Sequence, residues 1–275
     1  MNNHPTVAAV QMASGPNVDA NLIEVERVIG AAAESGVGLV VLPENFAFMG
    51  KRDADLLPLA EPEGEGPLQT FLARTAARFG VWLVGGTIPM ATASGERVRA
   101  ATLVLNDRGE RVARYDKMHL FDVSLPGADE RYEESAVIEP GDGPVVVDTP
   151  FGRLGVMVCY DLRFPELTRR MQADGMQLLA VPSAFTALTG KAHWETLVRA
   201  RAIENLSYVI AAAQGGYHLS GRETHGHSMI VDPWGTVLAQ MSRGSGWISG
   251  RIDPDYQAAV RRRFPTLEHR RLKCG

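Results

Sequence analysis

The sequence predicts an α/β protein with a mixed sheet, because strand-like and helix-like segments alternate along it. An apolar strand over residues 7–11 precedes a segment in which apolar residues from Leu22 to Ala32 recur at helical spacing, and residues 39–42 form the next apolar strand. A hairpin follows, in which strands over residues 101–106 and 111–115 flank a polar turn. The first segments indicate a β-α-β unit, and the hairpin adds antiparallel strands to it.

The remaining segments continue this alternation to the end of the chain. They are a helix over 71–79, strands over 81–84, 178–181 and 208–213, a helix over 193–205, and a hairpin turning at 232–235. This periodicity fits either one doubly wound sheet or two sheets packed face to face.

Length and composition indicate a single domain over residues 1–275. A chain of 275 residues that is 45% hydrophobic can bury a substantial core. The net charge of −4 gives no electrostatic reason to expect nucleic acid as a partner. The basic runs at 261–263 and 269–271 then indicate a solvated face or a subunit contact.

A cytoplasmic location is the expectation. The first strand begins without the basic segment and apolar core of a signal peptide, and no apolar run approaches the ~20 residues that a membrane helix needs. The two cysteines, Cys159 and Cys274, offer no disulfide framework. A thiol would stay reduced in the cytoplasm.

Three reactive side chains follow predicted strands at their carboxyl ends. Glu44 follows strand 39–42, Lys117 ends a strand that begins near Val112, and Cys159 lies where an apolar strand gives way to a predicted helix. Loops converge at such strand ends while the sheet holds them rigid. A helix N-terminus beside Cys159 would favour a thiolate and an oxyanion. Taken singly, the three also fit a surface acid, a solvated lysine and a small buried thiol.

Taken together, the motifs resemble the nitrilase (carbon-nitrogen hydrolase) superfamily. Leu-Pro-Glu-Asn at 42–45, Tyr-Asp-Lys-Met-His-Leu at 115–120 and Cys-Tyr-Asp-Leu-Arg-Phe-Pro-Glu at 159–166 are similar to its Nit branch, and the resemblance covers nearly the whole chain. Residues 193–195, 199–205, 211–214 and 226–235 are most similar to the deaminated glutathione amidases of that branch. The resemblance implies a four-layer α-β-β-α sandwich and a homodimer.

The resemblance also implies a role for each reactive residue. Cys159 would attack an amide carbonyl and form a thioester, Glu44 would move the protons, and Lys117 would stabilise the oxyanion together with the backbone N–H of Tyr160. Glu134 matches a second glutamate of the family, which would hold Lys117. In an acidic run, Glu134 could instead be an exposed acid.

Substrate binding is expected to involve residues near Cys159. Arg163 lies one helical turn later, and its planar guanidinium suits the carboxylate of a 2-oxo acid. It could instead form an ion pair with Asp161 or Glu166. Phe185 and Thr189 resemble pocket residues of the family.

The leading function is hydrolysis of deaminated glutathione to 2-oxoglutarate and cysteinylglycine. The alternative is an ω-amidase acting on 2-oxoglutaramate. A non-catalytic scaffold is disfavoured by the intact Glu44, Lys117 and Cys159, and a thiol redox protein by the lack of a second cysteine near Cys159. No cofactor or metal is expected, because no cysteine or acid cluster completes the pair His225 and His227.

Overall fold

The computed structural model describes residues 4–125 and 131–272. In this part of the chain the strands are β1 (Thr6–Met12), β2 (Val37–Val41), β3 (Trp82–Val84), β4 (Ile88–Ala91), β5 (Val98–Leu105), β6 (Arg111–Asp116), β7 (Asp122–Ser124), β8 (Arg131–Glu133), β9 (Val145–Thr149), β10 (Gly152–Val156), β11 (Leu178–Ser183), β12 (Tyr208–Tyr217), β13 (Glu223–His225), β14 (Met229–Val231), β15 (Val237–Gln240) and β16 (Gly246–Arg251). The α-helices are α1 (Val18–Glu34), α2 (Pro67–Phe79), α3 (Pro165–Ala173), α4 (Ala187–Asn205) and α5 (Pro254–Arg263). Short 3₁₀ helices cover Asp53–Leu59, Glu134–Ala136 and Cys159–Arg163.

The strands form two sheets that diverge from a common seam. In the first sheet β1, β2 and β3 are parallel, β16 runs antiparallel to β1, and β5 joins β3 to β4 and β6. In the second sheet β10, β11 and β12 are parallel, with β9 at one side and β14 and β15 at the other. The seam is the pairing of β1 with β12, through Gln11 with Ala213 and Met12 with Gln214.

Successive side chains of a strand point to opposite faces of its sheet. One face of each sheet packs against helices and the other face against the opposite sheet, which gives four layers. In β1, Ala8 and Val10 pack against α1 and α2, whereas Val7 and Ala9 belong to the core that also holds the residues of the second sheet. In β10, a Cβ at Gly155 would meet Met171 of α3. The neighbours of Gly155 in β10 therefore point away from α3 and toward the first sheet. The predicted α-β-β-α sandwich is confirmed, and the alternative of one doubly wound sheet is excluded.

Helix α4 begins six residues before its predicted start at His193. Thr186 caps it, since its side chain accepts a hydrogen bond from the backbone N–H of Thr189. This cap places Thr189 in the first turn of the helix, at the carboxyl end of β11. Within residues 4–125 and 131–272, each helix is too short or too polar to cross a bilayer.

Candidate active site

Cys159 lies in a sharp turn after β10, where it opens the short 3₁₀ helix that precedes α3. Its φ of 48° is in the left-handed region, which non-glycine residues rarely adopt. The side chain is buried, and the backbone N–H of Ala184 lies 3.5 Å from Sγ. The turn thus presents the thiol to a cavity at the carboxyl ends of β10 and β11.

Asp161 ties this turn to the strand that carries Lys117. Its buried carboxylate accepts hydrogen bonds from the Val158 backbone N–H at 2.9 Å and from the Tyr115 hydroxyl at 2.7 Å. It also accepts from the backbone N–H of His119 at 2.9 Å and from Nδ1 of that residue at 2.7 Å. Charge-assisted hydrogen bonds of this kind are stronger than neutral ones. Asp161 therefore fixes the cysteine turn of one sheet relative to the end of β6 in the other.

Lys117 is paired with two glutamates in the buried site. Its Nζ lies 2.8 Å from Glu44 Oε1, and 2.7 and 2.9 Å from the two carboxylate oxygens of Glu134. Glu134 also accepts a hydrogen bond of 2.6 Å from the backbone N–H of Phe121. The structure thus brings Glu44 and Lys117 together with Glu134, and places Glu134 against Lys117 rather than on the exposed surface.

The backbone of Glu44 is held at the seam between the sheets. Gln214 of β12 donates from Nε2 to the Glu44 carbonyl at 2.9 Å and to the Ser14 hydroxyl at 2.7 Å. The Gln214 side-chain oxygen accepts from the Ser14 backbone N–H at 2.9 Å. One side chain of the second sheet therefore positions a residue of the first.

Electrostatics keep Lys117 charged and Cys159 neutral at rest. Burial disfavours the charge on Lys117, but the carboxylates of Glu134 and Glu44 outweigh it and raise the pKa of Lys117 well above its usual value. Burial also raises the pKa of Glu134, against the opposing pull of Lys117. For Cys159, burial and the nearby Glu44 carboxylate raise the thiol pKa, and the charge of Lys117 only partly opposes them.

The expectation of a thiolate at a helix N-terminus is therefore wrong for the resting site. The five-residue 3₁₀ helix at Cys159 does not outweigh burial and the negative charge of Glu44, because both act directly on the thiol. The thiol instead has a base nearby, since the Glu44 carboxylate borders the same cavity and its charge raises the pKa of the thiol. This arrangement suits a nucleophile that loses its proton as it attacks.

Arg163 lines the same cavity and has no acidic partner among residues 4–125 and 131–272. Among the described residues it forms no ion pair with Asp161 or Glu166, and its Nη1 contacts His193 Nδ1 at 3.1 Å. Its guanidinium packs over the rings of Tyr160 and Phe185, with 5.7 and 5.1 Å to the ring centres. Its Nε is buried without a hydrogen-bond partner. These contacts favour a ligand acceptor over a structural ion pair.

Phe185, Tyr160 and Thr189, which the sequence analysis named as pocket residues, also border this cavity. Phe185 packs edge-on against Trp194 at 5.0 Å, and the Thr189 hydroxyl lies 2.9 Å from the hydroxyl of Thr186. The cavity holds about 660 Å³ of empty space, open solvent at its mouth included. All eight predicted site residues border it. Cys274 lies outside the described residues.

Sequence reasoning missed five polar residues of this cavity, Asn45, Asp53, Tyr132, Thr186 and Arg222. Asn45 has a φ of 56°, in the left-handed region. Its position directly after the predicted base Glu44 was the clue in the sequence that it lies in the site. Arg222 lies in the loop between β12 and β13, far from the motifs in sequence, and no local pattern points to it.

No group of His, Cys, Asp and Glu residues within the described ranges is arranged to hold a metal ion. His225 and His227 stack on each other with ring centres 4.3 Å apart. Burial, aided by His227 and Arg243, lowers the pKa of His225 to about 4, so that it is neutral at physiological pH.

The four-layer fold and the site define a protein of the nitrilase superfamily. Residues 6–262 match the carbon-nitrogen hydrolase family, and the chain belongs to that family.

Similar proteins are known from bacteria and animals. The deaminated glutathione amidase of Synechocystis sp. is 45% identical over 267 residues, which cover 96% of this chain and 97% of that protein. The deaminated glutathione amidase of Homo sapiens is 41% identical over 270 residues, or 97% of this chain and 82% of that protein. The crystal structure of the C. elegans NitFhit protein superposes with a TM-score of 0.90 at 40% identity. It covers 98% of this chain, which spans only 65% of the NitFhit chain.

Proposed function

We propose that this protein is an amidase that hydrolyses deaminated glutathione to 2-oxoglutarate and cysteinylglycine through a thioester on Cys159. The observation that carries the chemistry is the buried ion pair of Glu44 and Lys117 beside the thiol. The substrate class rests on the relatives of 41–45% identity that bear this name.

In the first half of the reaction, Glu44 takes the Cys159 proton while Sγ attacks the amide carbonyl carbon. The carbonyl oxygen becomes an oxyanion, which Lys117 Nζ and the backbone N–H of Tyr160 stabilise. When the tetrahedral intermediate collapses, the carbon–nitrogen bond breaks and Glu44 returns the proton to the departing amine. The products of this half are free cysteinylglycine and an acyl group bound to Sγ.

In the second half, water replaces the amine. Glu44 takes a proton from water, and the resulting hydroxide adds to the thioester carbonyl. The carbon–sulfur bond then breaks, Glu44 returns the proton to Sγ, and 2-oxoglutarate leaves. Lys117 stabilises the second oxyanion from the same position. Glu134 holds Lys117 in place through two short contacts, and keeps it charged throughout.

Arg163 orients the acyl half of the substrate. Its unpartnered Nε and its aromatic neighbours form a planar site for the 2-oxo acid carboxylate. Phe185 and Thr189, just before and in the first turn of α4, border the space for the acyl chain. The sister substrate 2-oxoglutaramate has the same acyl half, so an ω-amidase is the second candidate function.

The test combines acyl trapping with a comparison of the two substrates. Wild-type enzyme quenched in acid during turnover should carry a 2-oxoglutaryl group on the peptide that contains Cys159, and Cys159→Ala should have no turnover while keeping its fold. The kcat/KM value should be higher for deaminated glutathione than for 2-oxoglutaramate. Acylation of Cys274, or activity in Cys159→Ala, contradicts the mechanism. A reversed substrate ratio reassigns the protein to the ω-amidases.

We propose further that residues 1–275 form one domain that acts as a cytoplasmic homodimer. Helix α4 supports the dimer, since Leu188 and Ile203 leave 48% and 46% of their surface exposed. Light scattering after size exclusion should give twice the chain mass of 29.8 kDa.

A further inference from the structure

Arg222 stands at the junction of two connected cavities. It borders the cavity that contains Cys159, and it also borders an outer cavity of about 1120 Å³, open solvent included. Asn45, Asp53 and Tyr132 likewise border both. The outer cavity is therefore a continuation of the catalytic pocket toward solvent, on a side where Arg163 is absent.

The outer cavity is basic. Lys51, Arg52, Arg131 and Arg222 border it, against the single carboxylate of Asp53. Arg52 and Arg131 are each neutralised by an acid two or three residues away, whereas Lys51 and Arg222 form no ion pair within the described part of the chain. The free positive charge of this cavity thus lies on Lys51 at its rim and on Arg222 at its base.

The Arg222 guanidinium is held in place but not satisfied. Its Nη2 donates to the Ala184 carbonyl at 3.0 Å, and its plane packs over the ring of Tyr132 at 5.0 Å. Its Nε is buried and has no hydrogen-bond partner. A buried N–H without a partner is costly, so that its retention indicates an acceptor that arrives with a ligand.

Only four buried side-chain polar atoms of the described residues lack a partner, and the two that are nitrogens belong to Arg163 and Arg222. Both guanidinium groups border the catalytic cavity, and each packs against aromatic rings. The pocket is therefore bordered by two guanidinium groups that each keep a buried N–H free for an anion, and of the two only Arg222 also borders the outer cavity.

The separation of Arg222 from the thiol suits a leaving group of two residues. Arg222 contacts the Ala184 carbonyl, and the backbone N–H of the same alanine contacts Cys159 Sγ. These two contacts place the guanidinium at most about 10 Å from Sγ. An extended dipeptide reaches about 7 Å from the scissile nitrogen, so that its terminal carboxylate can approach the guanidinium. Ammonia, the leaving group of 2-oxoglutaramate, has no carboxylate that Arg222 could bind.

We propose that Arg222, aided by Lys51, binds the terminal carboxylate of the leaving group and so makes the enzyme specific for amides of anionic, dipeptide-sized amines. This inference rests on the proposed amidase function and deepens it. Arg163 recognises the acyl half, which all candidate substrates share, and Arg222 recognises the half by which they differ.

The experiment uses three substrates that share the 2-oxoglutaryl group: deaminated glutathione, its glycine carboxamide, and 2-oxoglutaramate. Wild-type enzyme should lose about 10- to 100-fold in kcat/KM when the terminal carboxylate becomes a carboxamide, as expected for one charge-assisted contact. Arg222→Gln should lose a similar factor with deaminated glutathione. It should cleave the carboxamide and 2-oxoglutaramate nearly as fast as wild type does. Arg243→Gln, a loop arginine that borders neither cavity, is the matched control.

Each outcome decides a separate question. A wild-type preference for the carboxylate that persists in Arg222→Gln overturns the assignment of Arg222. An equal loss on all three substrates shows that Arg222 only supports Ala184 and the thiol beside it, and also overturns it. No cleavage of deaminated glutathione by wild type contradicts the proposed function itself. The wild-type comparison of carboxylate and carboxamide needs no variant, so misfolding of Arg222→Gln leaves a decisive measurement.

Discussion

Replacing Glu44 by Gln should make Cys159 a better nucleophile toward an alkylating agent and a worse one toward substrate. The Glu44 carboxylate raises the thiol pKa because its negative charge opposes formation of the thiolate. Glutamine keeps the size of the side chain and removes both the charge and the base. The two reactivities should then move in opposite directions.

The expected magnitude follows from Coulomb's law for two neighbouring charges. Two like charges about 4 Å apart repel by about 4 kcal/mol at an effective dielectric constant of ~20. If one third of this repulsion remains after relaxation of Lys117 and its surroundings, its removal favours the thiolate about tenfold at neutral pH. Turnover, by contrast, should fall about 10²-fold or more, because no group remains to take the proton of the water or to protonate the amine.

The assay is the rate of iodoacetamide labelling between pH 6 and pH 9, followed by mass spectrometry on the peptide with Cys159. A Cys274→Ser background removes the second thiol. Glu166→Gln, at an exposed acid seven residues after Cys159, is the matched control and should leave both rates unchanged. Labelling of Glu44→Gln that is slower than or equal to that of wild type at pH 7 would refute the electrostatic assignment, and undiminished kcat would refute the role of base.

Two further substitutions test the residues around the thiol. Arg163→Lys keeps the charge but loses the planar pair of donors, so KM should rise for both 2-oxo acid substrates while the fold is preserved; an unchanged KM in steady-state kinetics excludes Arg163 from carboxylate binding. Asp161→Asn puts an amide nitrogen in place of one carboxylate oxygen and so faces two of the four hydrogen-bond donors, and the free energy of unfolding in urea should fall by about 1–3 kcal/mol, with a fall in kcat. Unchanged stability in that variant means that Asp161 does not hold the cysteine turn.

The sequence was sufficient to predict the strand ends on which the site is built. The apolar runs that precede Glu44, Lys117 and Cys159 are local patterns, and local patterns can be recognised from the sequence alone. The α/β class followed from the same periodicity. The presence of a second sheet could not be predicted in this way, because a buried strand has the same sequence pattern whether helices or another sheet pack on its face. Only the family resemblance distinguished two packed sheets from one doubly wound sheet.

The parts of the site that sequence could not predict depend on contacts between distant segments. Arg222 enters the cavity because the turn between β12 and β13 brings it to the Ala184 carbonyl, just after β11, and the sequence near it shows only a polar turn. The raised pKa of Cys159 depends on burial and on the approach of Glu44 from another sheet. The sequence alone suggested a lowered pKa, because it shows the start of a helix at Cys159 but not the charges that surround the thiol.

The seam between β1 and β12 has a consequence for the assembly of the enzyme. Glu44 and Lys117 come from the first sheet, whereas Cys159 and Arg163 come from the second, and the sheets are paired through two residue pairs. Neither half of the chain therefore carries a nucleophile together with its base. A nascent chain that has folded only its first half holds the acid and the amine but no thiol. Hydrolytic competence therefore requires that both sheets have formed and have paired along the seam.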